Sequence, residues 1–186
     1  MKIHETRLSG VILLEPKVFG DPRGFFLETY HQEKYRAVGL HKPFVQDNHS
    51  FSRRGALRGL HYQLRHPQGK LIYVLSGEIY DVAVDIRRGS PTFGKWEPFI
   101  LSAGNKRQLF IPEGFAHGFY VLSEGADVLY KCTDLYDAKE DCGILWSDPG
   151  LGIEWPIPEG EKPNLSPKDE RYPILSEALE DELPGY

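Results

Sequence analysis

The sequence predicts an all-β protein made of about ten short strands. Three observations support this prediction. Short apolar runs recur along the 186 residues, 19 glycines and 14 prolines separate them, and aromatic residues make up 12% of the chain. Aromatic and β-branched side chains favour strands, whereas glycine and proline favour turns. Short strands with short connections are typical of a sandwich, a barrel or a jelly roll.

The predicted strands follow one another along the chain with turn residues between them. Leu71–Leu75 is apolar almost throughout, which predicts a buried strand, and Ser76-Gly77 predicts a tight turn into Glu78–Ile86. In that next strand apolar residues alternate with Asp81 and Asp85, which predicts two distinct faces. The other predicted strands are Val11–Leu14, Phe25–Thr29, Val45–Phe51, Ala56–Gln63, Phe99–Leu101, Gln108–Ile111, Gly118–Leu122 and Asp127–Cys132.

Two short helices are also predicted. His31–Val38 stops at Gly39, a residue suited to the position after a helix. Ser166-Pro167-Lys168-Asp169 has the signals of a helix start, with Ser166 as the N-cap and Asp169 as the capping-box acid. The last ten residues contain four acids and no base. They predict a solvated acidic tail at 177–186 after a single domain at 1–176.

The composition disfavours several classes of protein. With 22 Lys and Arg against 27 Asp and Glu, the net charge is -5, which argues against a nucleic-acid binder or a basic membrane-surface protein. We expect no membrane segment, because no apolar run approaches the roughly 20 residues of a spanning helix. The N-terminus lacks a signal-like apolar stretch, and two cysteines are too few for a disulfide scaffold. We therefore expect a reduced, cytoplasmic protein.

The average charge conceals a basic stretch in the middle of the chain. Residues 48–77 contain five Lys or Arg residues and no Asp or Glu. A local excess of positive charge in an acidic protein suits one small dianionic ligand rather than a polyanion.

Two motifs contain the candidate chemistry, and they resemble the paired motifs of the cupin family. They are Gly59-Leu60-His61-Tyr62-Gln63 followed by Gly69-Lys70, and Pro112-Glu113-Gly114-Phe115-Ala116-His117-Gly118. The resemblance implies a jelly-roll barrel with a central pocket. Many cupins bind a metal through His-x-His, a Glu and a second-motif His, but here Gln63 replaces one His and Lys70 lies near the Glu position. Two imidazoles beside an ammonium suit a divalent cation poorly, so we expect no metal.

A base, a cation and a hydroxyl suit proton abstraction next to a carbonyl group. His61 is the candidate general base, since a histidine ordinarily has a pKa of about 6.5. Lys70 supplies a positive charge for an enolate oxygen, and Tyr130 offers a hydroxyl that can return a proton to the other face. The competing interpretations are a structural histidine, a surface ion pair for Lys70 and core packing for Tyr130.

Six motifs in order resemble the dTDP-4-dehydrorhamnose 3,5-epimerase family over roughly residues 1–175. They are Asp21-Pro22-Arg23-Gly24-Phe25-Phe26, Gln46-Asp47-Asn48-His49-Ser50, Arg58-Gly59-Leu60-His61-Tyr62-Gln63, Ile111-Pro112-Glu113-Gly114-Phe115-Ala116-His117-Gly118-Phe119, Tyr130-Lys131-Cys132-Thr133-Asp134 and Leu165-Ser166-Pro167-Lys168-Asp169. The resemblance implies that His61 accepts the proton and Tyr130 donates one. It also implies that Asp169 pairs with the catalytic His, in competition with its helix-capping role, and that Lys70 lies near the 4-keto oxygen.

The resemblance also implies the substrate dTDP-4-keto-6-deoxy-D-glucose, no cofactor and a homodimer. The implied contacts with the nucleotide and the sugar are Arg23, Glu28, Gln46, Asn48, Arg58, His117 and Lys168. Arginine suits a pyrophosphate through its planar donor fork, and Glu28 could accept a hydrogen bond from the thymine imide. Tyr136 is a candidate stacking platform for the base, with surface packing as the alternative. Asp141 stands where the family usually has Glu.

Several other functions compete with double epimerisation at C3 and C5. A mono-epimerase or a ketoisomerase on the same nucleotide sugar would share the scaffold and differ in pocket geometry. A non-catalytic cupin that binds a sugar nucleotide would need no base or acid, so His61, Lys70 and Tyr130 argue against it. A metal-dependent cupin is disfavoured by Gln63 and Lys70.

Overall fold

The computed structural model describes residues 1–178 and 183–186, and within these residues it contains two antiparallel sheets and one separate hairpin. The strands are β1 Lys2–His4, β2 Ile12–Glu15, β3 Val18–Asp21, β4 Gly24–Leu27, β5 Gln46–Arg53, β6 Leu57–Gln63, β7 Lys70–Ser76, β8 Glu78–Asp85, β9 Trp96–Ser102, β10 Gln108–Ile111, β11 Phe115–Val121, β12 Gly125–Cys132 and β13 Asp141–Gly143. The one α-helix among the described residues, α1, is Gln32–Arg36.

The two large sheets form the two walls of a jelly-roll barrel, which confirms the predicted all-β fold. One sheet has six strands in the order β1-β2-β10-β7-β12-β5, and the other has five in the order β13-β6-β11-β8-β9. The main core cluster contains side chains of both sheets, such as Ile72 and Val74 of β7 with Ile79 and Ala83 of β8. The hairpin of β3 and β4 pairs with neither sheet. The predicted strand Phe25–Thr29 overlaps β4, whereas β3 was not predicted.

Side-chain alternation along the strands determines which residues face the interior. On β7, Ile72 and Val74 belong to the main core, so Lys70, two residues earlier, shares their inward face. On β6, Leu60 and Tyr62 belong to a second apolar cluster behind the five-stranded sheet, which leaves His61 between them on the inward face. Both large sheets therefore direct polar side chains towards one end of the barrel interior.

Further apolar clusters cover the outer faces of both sheets. The second cluster contains Val82 and Val84 of β8, and loop residues such as Ile144 and Leu151 pack on it. In the third, Tyr35 of α1 packs against the outer face of the six-stranded sheet. Because both faces are covered, the Asp residues that alternate along β8 are not solvated: Asp81 and Asp85 are both 0% exposed.

The predicted helices differ from the observed ones in length and position. Helix α1 is shorter than the predicted His31–Val38, and Gly39 follows it with a φ of 104°, a conformation that glycine adopts without steric cost. The predicted helix at Ser166 is wrong: residues 167–170 form turns, and a 3₁₀ turn occupies Leu175–Glu177. Pro173 explains the difference, because it disfavours helical backbone at the residue before it. Among the described residues, no helix has the length and apolar character needed to cross a membrane.

The C-terminal residues 183–186 pack onto the barrel and do not form the predicted solvated tail. Leu183 is buried in the second cluster with Leu60 and Tyr62. Arg88 N donates to Pro184 O and Tyr186 N donates to Arg88 O, which bridges the segment to the barrel. The apolar Leu183 and these main-chain bonds outweigh the acidic character of the preceding residues. Of those acids, Glu180, Asp181 and Glu182 lie outside the described residues.

Candidate active site

A pocket of about 270 Å³ opens between the two sheets at the end of the barrel where the inward-facing polar residues lie. Its walls come from β5, β7 and β12 of the six-stranded sheet and from β6 and β13 of the other sheet. The lining residues are Gln46, Asn48, His61, Tyr62, Gln63, Gln68, Lys70, Tyr130, Tyr136 and Asp141. Seven of the residues that the sequence predicts for the site therefore line one cavity.

His61 and Asp169 form a hydrogen-bonded dyad at this pocket. His61 Nε2 lies 2.5 Å from Asp169 Oδ1, although 108 residues separate the two along the chain. The Asp169 side chain is 5% exposed, and its Oδ2 accepts a 2.8 Å hydrogen bond from Ser166 Oγ. Burial alone would raise the pKa of Asp169, but the His61 and Ser166 contacts outweigh burial and lower it. The Asp169 carboxylate is thus ionised, and it can orient the imidazole and stabilise its protonated form.

Lys70 and Tyr130 face the same pocket from the six-stranded sheet. Their strands are neighbours: in the ladder, Tyr130 pairs with Ile72 and Cys132 pairs with Lys70. Burial lowers the pKa of the Lys70 ammonium, against the opposing effects of Cys132, Asp141 and Asp81. Burial also raises the pKa of Tyr130, which keeps its hydroxyl protonated at neutral pH. The pocket therefore contains the Lys70 amino group and a phenolic proton donor on the wall that faces His61.

A hydrogen-bond network holds the outer rim of the pocket. Gln46 Nε2 donates to Asn48 Oδ1 over 3.0 Å, and Tyr136 N donates to Gln46 Oε1 over 2.9 Å. The Tyr136 hydroxyl donates to Asp141 Oδ2 over 2.9 Å, and Lys168 Nζ donates to the same oxygen. The Tyr136 residue is 52% exposed, so its ring lies at the mouth of the pocket where a planar base could stack.

Gln63 has a structural role at the position where many cupins have a metal-binding His. Its amide nitrogen donates to His66 O over 2.7 Å and to Leu135 O over 3.3 Å, and its amide oxygen accepts from Asp137 N. Both ends of the side chain therefore tie the loops that flank the pocket. Across residues 1–178 and 183–186, no group of three or more His, Cys, Asp or Glu side chains has the geometry of a metal site.

Two predicted residues, Arg58 and Lys168, lie on the far side of the dyad. With His61 and Asp169 they line a second cavity of about 250 Å³. Arg58 Nε donates to Ser52 Oγ over 2.8 Å. Burial opposes the charge on Lys168, but the Asp141 carboxylate raises its pKa. His61 therefore lies between the sugar-sized pocket and a cavity that presents two cations.

Three further predicted contacts line neither of these two cavities. His117 is opposite His61 in the ladder, but its Nε2 lies 2.9 Å from Oδ2 of the fully buried Asp81. Arg23 lies in the hairpin, where its side chain is 90% exposed and pairs with Asp21. Glu28 forms an ion pair with Lys34. Within the described residues of one chain, Arg23 and Glu28 are not brought to the pocket.

Sequence reasoning missed several residues that contact the predicted ones. Asp81 could have been found, because the alternation along β8 places it on the same face as Ala83, inside the barrel. The ring of Tyr172 lies against His61 with a centroid distance of 5.8 Å. Its segment has no regular secondary structure, so no periodicity pointed to this contact. Gln68 lines the pocket from a loop for which the sequence shows no pattern either.

Comparisons with known proteins place the chain in a family. The sequence model of the family described as dTDP-4-dehydrorhamnose 3,5-epimerase matches residues 5–177. A protein of that name from Shigella flexneri is 56% identical over 171 residues, which cover 91% of this chain and 93% of the relative.

Solved structures agree as well. The crystal structure of dTDP-6-deoxy-D-glucose-3,5-epimerase from Legionella pneumophila, in complex with dTDP-4-keto-L-rhamnose, is 51% identical and has a TM-score of 0.96, covering 100% of this chain and 98% of that one. A 3'-monoepimerase from Streptomyces bikiniensis, in complex with dTDP-quinovose, is 35% identical with a TM-score of 0.92, covering 98% of this chain and 93% of that one. The family match and these identities show that the chain belongs to the dTDP-4-dehydrorhamnose 3,5-epimerase family.

Proposed function

We propose that this enzyme inverts C3 and C5 of dTDP-4-dehydro-6-deoxy-D-glucose and so forms dTDP-4-dehydro-L-rhamnose. One observation supports this above all: His61, which is hydrogen-bonded to Asp169, lines the pocket from the five-stranded sheet, and Lys70 and Tyr130 line it from the six-stranded sheet. The Legionella relative, a dTDP-6-deoxy-D-glucose-3,5-epimerase, was solved with dTDP-4-keto-L-rhamnose. The sugar substrate of this chain is assigned by that likeness.

The proposed chemistry begins with removal of a proton next to the 4-keto group. His61 Nε2 contacts Asp169, so Nδ1 is the nitrogen that takes the proton from C3 or C5. Asp169 stabilises the imidazolium that forms, and the Lys70 ammonium stabilises the enolate oxygen. The ketone acidifies both neighbouring carbons, so the same groups can act at each of them.

Inversion requires that a proton return to the opposite face of the sugar ring. Tyr130 is on the six-stranded sheet and His61 is on the five-stranded sheet, so a sugar between them has the base on one face and the hydroxyl on the other. Tyr130 transfers its proton to the carbon, and the phenolate is reprotonated from solvent while His61 releases its proton. Each cycle therefore exchanges one carbon-bound hydrogen with solvent.

The experiment that tests this function is incubation with dTDP-4-dehydro-6-deoxy-D-glucose in deuterated water. We expect deuterium at both C3 and C5, and dTDP-L-rhamnose once a reductase for the 4-keto group is added. Deuterium at C3 alone would identify a mono-epimerase, a function for which the Streptomyces bikiniensis relative is a precedent. No exchange at either carbon would favour a binding protein.

We also propose that the enzyme is a homodimer in which the β3–β4 hairpin of each copy contacts the other copy. The hairpin pairs with neither sheet, and its Phe25 and Phe26 are 58% and 69% exposed. Strand β5 is an edge of the six-stranded sheet beside the pocket, and it exposes Phe51. An edge strand and an unpaired apolar hairpin are complementary surfaces. Such a dimer would bring Arg23 to the nucleotide site of the second copy.

We propose that the enzyme acts in the cytoplasm. The buried Cys132 is a free thiol beside the pocket strand residue Lys70, and unoxidised thiols are typical of a reducing compartment. Subcellular fractionation of the native host tests this assignment, with recovery of the enzyme in the cytosolic fraction as the expected result.

A further inference from the structure

The ring of Tyr172 forms a wall beside the imidazole of His61. The two ring centroids are 5.8 Å apart and the ring planes meet at 67°, which is an edge-to-face arrangement. Tyr172 follows Asp169 by three residues, so one short segment supplies both the carboxylate partner and the aromatic neighbour of His61. The His61 imidazole therefore contacts the Asp169 carboxylate on one side and the Tyr172 ring on another.

Gly143 makes room for this ring. Strand β13 places Gly143 directly opposite His61 in the ladder. A Cβ at Gly143 would lie 2.4, 2.5 and 2.6 Å from three ring atoms of Tyr172, which is closer than such atoms approach in proteins. Any side chain at Gly143 would therefore displace the Tyr172 ring from its place against His61.

The ring of Tyr172, rather than its hydroxyl, makes the contact with His61. Burial raises the pKa of Tyr172 although the nearby Lys168 ammonium opposes this effect, so the side chain is a neutral phenol. The Lys168 Nζ lies 5.6 Å from the ring centroid. A phenylalanine at position 172 would keep the aromatic edge-to-face contact, which is favourable beyond the area it buries.

We propose that Tyr172 is a positioning residue that holds His61 in the rotamer required for proton abstraction. The His61 side chain is 33% exposed, and an imidazole held only by the hydrogen bond to Asp169 can still swing about its side-chain torsions. The Tyr172 ring blocks that movement on one side and keeps Nδ1 directed at the substrate. The inference rests on the proposed function, because it assigns His61 as the base.

Substitutions at Tyr172 separate a positioning role from a structural one. We expect Tyr172→Ala to lower kcat by about ten- to a hundredfold, as small misplacements of a reacting group do. KM and the Kd for dTDP should stay close to the wild-type values, because Tyr172 lines neither cavity at the site. Tyr172→Phe should restore most of kcat. Equal losses for Ala and Phe would assign the effect to the hydroxyl and overturn the proposal.

Gly143→Ala tests the same contact without deleting the ring. Its methyl group should push Tyr172 away and lower kcat in the wild-type background. In the Tyr172→Ala background the methyl group has space, so the double variant should be no slower than Tyr172→Ala alone. Fully additive losses would show that the two residues act independently. The Gly143→Ala single variant remains informative if Tyr172→Ala proves too unstable to assay, because it moves the ring without deleting it, and a wild-type kcat in Gly143→Ala would then overturn the proposal.

The chemical shifts of the His61 ring protons give a readout that is independent of turnover. An aromatic edge at 5.8 Å displaces these resonances, so Tyr172→Ala should move them and Tyr172→Phe should not. Unchanged His61 shifts in Tyr172→Ala, or an unchanged kcat in an active preparation, would overturn the positioning role alone. Absence of deuterium exchange by the wild-type protein would instead overturn the proposed function.

Discussion

At the scale of single residues, Asp169 contacts His61, the proposed base, and Ser166 of its own backbone turn at the same time. The sequence presents the dyad and the helix cap as competing uses of this carboxylate. In the structure each use has its own oxygen, with Oδ1 2.5 Å from His61 and Oδ2 2.8 Å from Ser166. The cap stabilises a turn rather than a helix, and this turn fixes the carboxylate against the imidazole.

Replacement of this carboxylate should cost activity and not binding. We expect Asp169→Asn to lower kcat by about 10²–10⁴-fold, because a neutral amide cannot stabilise the imidazolium or fix its tautomer. The Kd for dTDP, measured by calorimetry, should stay close to the wild-type value. Ser166→Ala is the matched control, since it removes the Ser166 hydroxyl that contacts Oδ2 and the Asp169 main chain but leaves the Oδ1 contact with His61, and its loss should be much smaller. An Asp169→Asn enzyme with wild-type kcat would contradict the assignment of the dyad.

At the scale of elements, residues 183–186 show how a few apolar atoms can outweigh a run of charge. We expect Leu183→Ala to lower the free energy of unfolding by about 2–5 kcal/mol, the usual cost of truncating a buried leucine. Leu183 is 6% exposed, whereas Tyr186 is 69% exposed, so Tyr186→Ala should cost clearly less. Urea unfolding curves measure both. A negligible effect of Leu183→Ala would restore the solvated tail that the sequence predicts.

The end of β8 contains a carboxylate whose protonation should weaken the fold. Asp85 is 0% exposed and accepts hydrogen bonds from Arg87, Ser90 and Thr92, which outweigh the effect of burial and lower its pKa to about 2. Since the folded pKa lies below the unfolded value, the stabilisation is present above about pH 4 and is lost as the pH falls towards 2. The lowered pKa corresponds to about 2 kcal/mol.

Asp85→Asn tests this linkage. We expect the free energy of unfolding to fall by at least about 2 kcal/mol at pH 7, because Arg87, Ser90 and Thr92 would lose their hydrogen bonds to a charged carboxylate. The difference between variant and wild type should shrink as the pH is lowered from 4 towards 2. Denaturation curves at several pH values measure it, with Asp127→Asn, at a carboxylate more exposed than Asp85, as the control. A difference that is constant with pH would refute the lowered pKa.

Sequence patterns predict elements well where one physical cause dominates. Gln108–Ile111 is predicted to the residue, and Leu71–Leu75 lies within β7, because continuous apolar runs report strands buried on both faces. The prediction of a helix from Ser166 is wrong, because helix-start signals do not take account of Pro173, which lies seven residues later. The predicted strand Phe25–Thr29 overlaps β4, but its partner β3 was not predicted, because Val18 and Phe19 are exposed in one chain rather than buried.

At the scale of the whole molecule, the proposed dimer predicts that two inactive variants restore each other. Arg23→Ala should lose nucleotide binding and His61→Ala should lose proton abstraction. If the hairpin acts on the second copy, mixing and reassembling them gives hybrids with one intact site. Up to about a quarter of wild-type activity should then return, since half of the random dimers are hybrids. Recovery of no activity, with dimers confirmed by ultracentrifugation, would place Arg23 in its own chain's site.

The barrel fold explains which parts of the site could be predicted from the sequence. His61, Lys70 and Tyr130 lie on three different strands, and strand alternation directs all three into the barrel. The prediction that they share one pocket is therefore confirmed. Tyr172 could not be predicted, because it lies outside the regular elements and its position depends on Gly143 of β13. The contacts of Arg23 and Glu28 within one chain are ion pairs with Asp21 and Lys34, and they do not reveal a binding site for either residue. The position of Arg23 in the proposed dimer would depend on the surface of the second copy that the hairpin contacts.

The placement of the base and the acid on different sheets has a consequence for stereochemistry. The distance between them is set by the apolar residues that separate the sheets, such as Val74 and Ala83. Under the proposed mechanism these residues take no part in proton transfer, but the spacing they impose between His61 and Tyr130 would decide whether a proton reaches the opposite face of the sugar before one returns to the same face. The width of the apolar core between the two sheets would therefore influence the configuration of the product.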